Sequence, residues 1–322
     1  MNNNLIKPFL PKDVDPSRLN FPLWGLAALC KIDGSFAFVQ NGKLYARSLK
    51  QHENIYTTNL YSNPDFEGLR GELISGNNPT AEGLCRTTSG DIRRIEGEPE
   101  TSLWCFDFVT HETKNLPYKE RYELLHNKVI ELNSLGYKNI NIIPMHIVHN
   151  EKEYLELRDF FLSQGYEGLV LRDPQFPHKE GRSSATKPQL WRYKPYATAE
   201  ILVTHLLEGT TNLNEATKNE LGRSTRSSHK ENLQNNATVG TIVGTLVNDL
   251  LDYSGKVIAV KGTEINVSPG ELKGPERKFY WENQSEIVGH IVEFSYMSYG
   301  LKDKPRFANF TNFKRIRSER DM

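Results

Sequence analysis

The sequence predicts an α+β protein, with a mixed strand-and-helix region followed by an all-β one. Three observations carry that expectation. Residues 1–196 alternate strand-type and helix-type periodicity, residues 197–322 hold short β-type runs, and the change of character falls at Pro195. A chain of 322 residues is long enough for two modest domains, so the expected division is 1–196 and 197–322.

The elements follow in chain order. Lys31 to Phe38 and Lys43 to Ala46 flank Gln40-Asn41-Gly42, and Asn-Gly between apolar runs is a hairpin turn. Leu103 to Val109 is aromatic and β-branched, and predicts a buried strand. Pro117 opens a helix whose apolar positions Tyr122, Leu125, Val129 and Leu132 step by three and four, with Gly136 as its C-cap. A second helix runs from Glu151 to Gln164, with Tyr154, Leu157 and Phe161 on one face and Gly165 ending it. A strand at Leu169 to Arg172 comes next. Beyond Pro195 the β-type runs are Ile201 to Leu207, Val239 to Val247, Lys256 to Val260 and His290 to Tyr296. Between the first two lies a polar stretch, Glu208 to Asn236, which predicts a long loop or a flap that orders on binding. Short strands in this number fit a small barrel such as an OB-fold.

Composition narrows the function classes. With 37% hydrophobic and 25% charged residues the chain is an ordinary globular one, too apolar for disorder. No stretch approaches the roughly 18 apolar residues of a membrane span, and MNNNLIKPFL has no secretory pattern, so a cytoplasmic protein is expected. Cys30, Cys85 and Cys105 are too scattered for a disulfide scaffold or a CxxC metal site. His146 and His149 lie three apart in a strand-and-turn context, which predicts polar surface. The 40 basic and 40 acidic residues cancel, but unevenly. Phe176 to Lys194 holds five Lys+Arg against one acid, and Lys302 to Arg320 seven against two, so neutrality does not exclude a nucleic-acid partner.

Nothing matches a P-loop or HExxH. The informative stretch is Lys31-Ile32-Asp33-Gly34-Ser35. A lysine at a strand edge can present its amine to a cavity, and it is a nucleophile once neighbouring cations or desolvation remove its proton. An ordered set follows: Arg47 and Lys50 in Ala-Arg-Ser-Leu-Lys, Glu72 in Leu-Arg-Gly-Glu-Leu, Phe106 in Trp-Cys-Phe-Asp-Phe, Glu167 in Glu-Gly-Leu-Val-Leu-Arg, and Arg192 and Lys194 in Leu-Trp-Arg-Tyr-Lys-Pro.

In order and spacing these motifs resemble those of ATP-dependent DNA ligases, nearest to the small bacteriophage T7 type of the covalent nucleotidyltransferase superfamily. The resemblance runs from about residue 26 to the C-terminus. It implies an N-terminal adenylation (nucleotidyltransferase) domain of antiparallel sheets with flanking helices, followed by a C-terminal OB-fold β-barrel. It implies that Lys31 attacks the α-phosphate of ATP and carries AMP, that Asp33, Glu72, Phe106 and Arg192 help hold the nucleotide, and that Lys194 neutralises the α-phosphate and depresses the pKa of Lys31. Glu167, with Glu72, would bind Mg²⁺. Arg47 and Lys50 would grip DNA phosphate, Arg47 through its planar fork. Arg223, Arg226, His229 and Lys230 are further phosphate contacts on the polar segment. Arg306 and Lys314, in the tail Arg306-Phe-Ala-Asn-Phe310-Thr-Asn-Phe313-Lys314, would orient the pyrophosphate leaving group. Three positions depart from the family pattern: Phe36 stands where an arginine is common, Arg192 where lysine is usual, and Leu29 where a polar residue often reads adenine. The implied partners are ATP and nicked double-stranded DNA, bound by a monomer without a membrane. RNA ligases and mRNA-capping nucleotidyltransferases share the lysine chemistry. A non-catalytic OB-fold nucleic-acid-binding protein would leave Lys31, Glu72, Glu167 and Lys194 unexplained.

Overall fold

The computed structural model describes residues 5–14, 19–184 and 189–311. The chain divides into two compact units, Met1–Lys194 and Pro195–Met322.

The first unit is built on two five-stranded sheets. The strands of these sheets are β1 (Lys12–Asp13), β2 (Leu26–Lys31), β3 (Ser35–Gln40), β4 (Lys43–Ala46), β5 (Leu69–Ser75), β6 (Thr101–Phe108), β7 (Ile140–Ile142), β8 (Met145–Val148), β9 (Gly168–Arg172) and β10 (Leu190–Tyr193), and Phe9–Leu10 pairs separately with Gly181–Arg182. Its helices are α1 (Ile55–Tyr61), α2 (Leu84–Arg93), α3 (Tyr118–Ser134) and α4 (Glu151–Ser163). One sheet has the order β1-β10-β9-β2-β8, the other β4-β3-β5-β6-β7. The expected antiparallel pattern holds with exceptions, because β1 and β10, and β6 and β7, run parallel. The second case has a plain cause: α3 lies between β6 and β7 in the chain and supplies the long crossover a parallel pair needs.

Strand β2 is an unbroken apolar run, Leu-Ala-Ala-Leu-Cys, buried along its length, as a central strand covered on both faces requires. It stops at Lys31, so the strand expected from Lys31 to Phe38 is two strands. The break is at Ile32-Asp33-Gly34, where a Cβ on Gly34 would lie 2.7 Å from the Leu73 carbonyl oxygen. The next turn is as expected: Asn41 and Gly42 have φ 54° and 63°, the left-handed pair of a type I′ hairpin. Helix α3 buries Tyr118, Arg121, Leu125, Val129 and Leu132, so its inner face carries a charge that periodicity could not foresee. It ends as Gly136 predicts, with Gly136 N–H donating to Asn133 O and Tyr137 N–H to Leu132 O, a Schellman closure. The same closure at Gly165 and Tyr166 ends α4 and leads directly into Glu167.

The second unit holds β11 (Tyr196–Asn212), β12 (Leu233–Leu246), β13 (Glu264–Val267), α5 (Gly274–Glu282), β14 (Ile291–Met297) and β15 (Arg306–Phe310). Three of the expected runs lie in β11, β12 and β14, and Lys256 to Val260 contains the short strand Val257–Ala259. Strands β13 and β15 and helix α5 were not expected. The sheet order is β13-β12-β11-β14-β15, around a core that includes Ile201, Val203, Ile242, Val292, Phe294 and Phe310. The strand ladders by themselves draw an open sheet. Its outermost strands meet at one bridge, where Ser268 N–H donates to Ala308 O and Phe310 N–H to Ser268 O, each at 2.9 Å.

The polar stretch Glu208 to Asn236 is not a loop. Strand β11 runs on to Asn212 and β12 begins at Leu233, and between them Ala216–Lys218 pairs with Ser224–Arg226. Asparagines, not an apolar core, fasten this arm. Asn214 is buried. Its Nδ2 donates to Ser227 O and His229 O at 3.0 and 2.9 Å, and its Oδ1 accepts from Asn232 at 3.0 Å.

Candidate active site

Three neighbouring strands bring the site together. In the register of β2 against β9, Gly168 lies opposite Lys31, and in that of β9 against β10, Leu169 lies opposite Tyr193. Lys31, Glu167 and Lys194 therefore gather at one end of the sheet, and the Glu167 N–H donates to Lys31 O at 2.9 Å. Gly168 makes the approach possible. Its φ is 155°, and a Cβ would lie 2.2 Å from Tyr193 O, so only glycine fits.

Glu167 is fully buried, and each of its carboxylate oxygens carries a lysine: Oε2 pairs with Lys31 Nζ and Oε1 with Lys194 Nζ. The lysine side chains are 17% and 14% exposed, so this cluster is reachable from solvent on its cationic side. The electrostatics differ from the sequence-based expectation. Burial pushes Lys31 toward losing its proton, but the carboxylates of Glu167, Glu72 and Asp33 outweigh it, and the ammonium titrates above its ordinary value. Lys194 is the one held down, by burial first and then by the Lys31 charge. The expected depression of Lys31 by Lys194 is overturned because one carboxylate lies between them.

Glu72 completes the acidic side. On β5 it sits opposite Phe36 of β3 and Trp104 of β6. Burial, reinforced by Glu167 and Asp33 and opposed by Lys31 and Arg47, pushes its carboxyl up to about 7. Asp33 is buried in the turn after Lys31. Phe106 is half-buried on β6, and its ring lies 6.0 Å from that of Phe36, so the position that departs from the family pattern supplies an aromatic wall. Arg47 and Lys50 are exposed on the tight turn after β4, where Ala46 N–H donates to Lys50 O at 2.7 Å.

Other expected residues are placed differently. Arg192 on β10 is paired with Asp13 of β1 at 2.6 Å, a partner 179 positions away that no local signal marks. Arg223 and Lys230 are exposed on the arm, while Arg226 donates to Asn214 O. Arg306 is half-buried, with Nη1 donating to Tyr299 O at 3.4 Å. Lys314 and Phe313 lie outside the described residues. No group of three or more His, Cys, Asp or Glu that could hold a metal occurs among the described residues. The cysteines form no disulfide, and no described helix is long and apolar enough to cross a membrane.

A buried cluster that sequence reasoning missed lies in the same unit. Asp107 pairs with Arg121 at 2.9 Å and Arg172 at 2.7 Å. The available signal was a charge inside each of two apolar strands, Asp107 in β6 and Arg172 in β9, which calls for a buried partner.

No protein-family model matches the chain. Over 141 residues, 44% of this chain, the sequence is 28% identical to the DNA ligase of African swine fever virus. That match spans 32% of the viral protein, so the chain covers about a third of this curated relative. Among solved structures, a Chlorella virus DNA ligase-adenylate aligns with TM-score 0.51 and 23% identity, covering 98% of this chain and 99% of the other. A Lig E DNA ligase aligns with TM-score 0.63 and 18% identity, covering 96% and 99%. The chain has the DNA ligase fold. Within that fold the lysine–glutamate–lysine cluster sits on the β2, β9 and β10 ends, and the ligase-like chain continues through the second unit.

Proposed function

We propose that this chain is an ATP-dependent DNA ligase that seals 3′-hydroxyl/5′-phosphate nicks in duplex DNA. One observation carries the reading: Lys31 at the end of β2 and Lys194 just past β10 share the buried carboxylate of Glu167, which leads into β9, the strand between them. A nucleophilic amine beside a second, phosphate-neutralising amine is what adenylyl transfer to lysine needs.

Lys31, held as the ammonium by its carboxylates, loses its proton to solvent and attacks the α-phosphate of ATP, pyrophosphate leaves, and AMP stays on Nζ. That bond removes the charge of Lys31 and ends its ion pair, leaving Glu167 to Lys194. The AMP then passes to the 5′-phosphate of the nick, and the 3′-hydroxyl attacks that phosphate and expels AMP. Each step is an in-line phosphoryl transfer, so positioning and charge do most of the catalysis. Phe106 stacks on the base and Glu72 takes the ribose hydroxyls. Glu72 and Glu167 are hard oxygen donors, Glu72 raised chiefly by burial and Glu167 freed on one oxygen once Lys31 carries AMP. They suit a divalent cation such as Mg²⁺, which would supply positive charge to offset the triphosphate.

In this reading residues 1–196 are the adenylation domain and 197–322 an OB-type barrel. The contact of β13 with β15 at Ser268 supports closure. Arg47, Lys50, Arg223, Arg226 and Lys230 hold DNA phosphates, and Arg306 and Lys314 orient the leaving pyrophosphate. The protein acts as a monomer in the cytoplasm of a bacterial or phage-infected cell.

The test is direct. Incubation with α-labelled ATP and Mg²⁺, then denaturation, gives an acid-labile AMP adduct that is absent from Lys31→Ala. No label, or label that survives Lys31→Ala, rejects the proposal. Sealing of nicked RNA but not nicked DNA moves the assignment to an RNA ligase.

A further inference from the structure

Three arginines are buried around one carboxylate. Arg70, Arg121 and Arg172 are 2%, 0% and 4% exposed, and Asp107 is 2% exposed. They converge from four elements. Arg70 on β5 stands opposite Asp107 on β6 in the strand register. From α3, Arg121 donates through Nε and Nη2 to the two Asp107 oxygens at 2.9 and 3.2 Å. From β9, Arg172 Nη1 reaches Asp107 Oδ2 at 2.7 Å.

The charges do not balance. Burial opposes the ionised form of Asp107, but Arg172 and Arg121 outweigh it and hold the carboxyl well below its usual range. Burial lowers Arg70 only to about 10, so it stays charged at neutral pH. Three positive charges therefore meet one negative charge. His178, which shares this field, is pushed down to about 3 by burial and by Arg70, and is neutral. Glu180 acts on Arg70 through space, but it is exposed and accepts from Lys7 N–H at 3.2 Å.

Nor are the donors satisfied. Arg70 Nη2 donates to Ile6 O at 3.0 Å, while its Nε and Nη1 have no partner among the described residues. Arg172 Nε and Nη2 have none among them either. Aromatic rings cover the flat faces, with Tyr118 at 4.0 Å from Arg172 and Phe38 at 4.9 Å from Arg70. A ring meets the face of a guanidinium and leaves its N–H rim needing acceptors. Water could accept from that rim, but it carries no charge to offset two surplus cations.

We propose that the unpaired edges of Arg70 and Arg172 bind a small inorganic anion, a halide or an oxyanion, as a resident part of the fold. A halide offsets one of the two surplus charges and a doubly charged oxyanion both, and through Arg70 the anion secures the segment at Ile6. This site stands apart from the lysine–glutamate cluster and does not depend on the ligase reading.

The experiment is thermal unfolding of the full chain in sodium chloride, bromide, phosphate and sulfate against sodium gluconate, at constant ionic strength. The Tm should climb by about 3–5 °C for each tenfold rise in the bound anion once above its Kd. A climb in the halides alone identifies a halide, and one in phosphate and sulfate alone an oxyanion. Arg70→Met should flatten the response. Crystals of the unaltered chain grown with bromide or sulfate should show the anion between the two guanidiniums, which keeps the test decisive if Arg70→Met does not fold. Equal Tm in every salt, an undiminished response in Arg70→Met, or no density at the two guanidiniums overturns the proposal. Density without any Tm response means an adventitious ion only and overturns it as well.

Discussion

Glu167 and Asp107 are both carboxylates buried in the first unit, and each is held by two cations from other elements. The cations differ in kind. Glu167 is held by lysines that are 17% and 14% exposed, and Asp107 by arginines that are 0% and 5% exposed. An ammonium is a compact, rotatable charge that can lose its proton, whereas a guanidinium keeps its charge and fixes its partner with a planar fork. The first cluster can let go of one cation and bind a substrate phosphate. The second, with Arg172 stacked on Tyr118, is built to hold. The same carboxylate-and-two-cations arrangement is thus reactive or structural according to which cation grips it and whether solvent reaches it.

The strongest way to break this comparison is to put a structural cation in the reactive place. Lys31→Arg keeps the charge beside Glu167 but cannot present a neutral amine. Adenylate labelling should fall by about 10⁴-fold or more, with little change in Tm. Persistent labelling would show that the lysine chemistry lies elsewhere.

The reverse test removes the structural carboxylate. Asp107→Asn leaves buried arginines without their counter-charge and should cost about 3–5 kcal/mol, read by urea unfolding. The pH dependence has a definite sign. The folded carboxyl titrates below its unfolded value of about 3.9. Its stabilisation is therefore complete above that pH and is lost as pH falls through the folded value. The gap between the unaltered chain and Asp107→Asn should be full at pH 7 and should close in acid. A gap of equal size at pH 7 and in strong acid would assign the effect to packing. Arg172→Lys is the milder probe, since it keeps one charge and gives up the fork and the stacking on Tyr118, at about 1–3 kcal/mol.

What could be read from the sequence follows from how local each signal is. The hairpin at Asn41-Gly42 and the two glycine-ended helices are set by neighbours in the chain, and their positions were legible. Lys31, Glu72, Glu167 and Lys194 are singled out by a known order of motifs, and the structure brings Lys31, Glu167 and Lys194 together. The grip of one carboxylate on two lysines was not legible. It depends on the registers of β2, β9 and β10, which place residues 136 positions apart side by side. The arm failed for a different reason. Its strands carry asparagine and threonine where apolar alternation would mark a β-strand, and Asn214 ties them through backbone carbonyls that leave no trace in composition.

A third carboxylate sharpens the contrast at the smallest expected effect. Glu72 lies beside both Lys31 and Arg47, yet burial, with Glu167 and Asp33 adding, pushes it up to about 7. Its unfolded value is about 4.3. Between those two values the folded chain binds the extra proton, so Glu72 makes the protein lose stability as pH rises from about 4 to 7, and the loss is constant above that. Asp107 does the opposite, contributing most at neutral pH. Glu72→Gln removes the cost of ionising the group while keeping its shape. Its Tm relative to the unaltered chain should therefore rise between pH 5 and pH 8, by a few degrees for about 1–2 kcal/mol. Adenylate labelling by the same variant should fall, because the site loses a carboxylate. A stability difference that stays level from pH 5 to pH 8 would mean that Glu72 is as well solvated as an ordinary carboxylate. The acidic side of the site would then be open to water, and the contrast with Asp107 would rest on the cations alone.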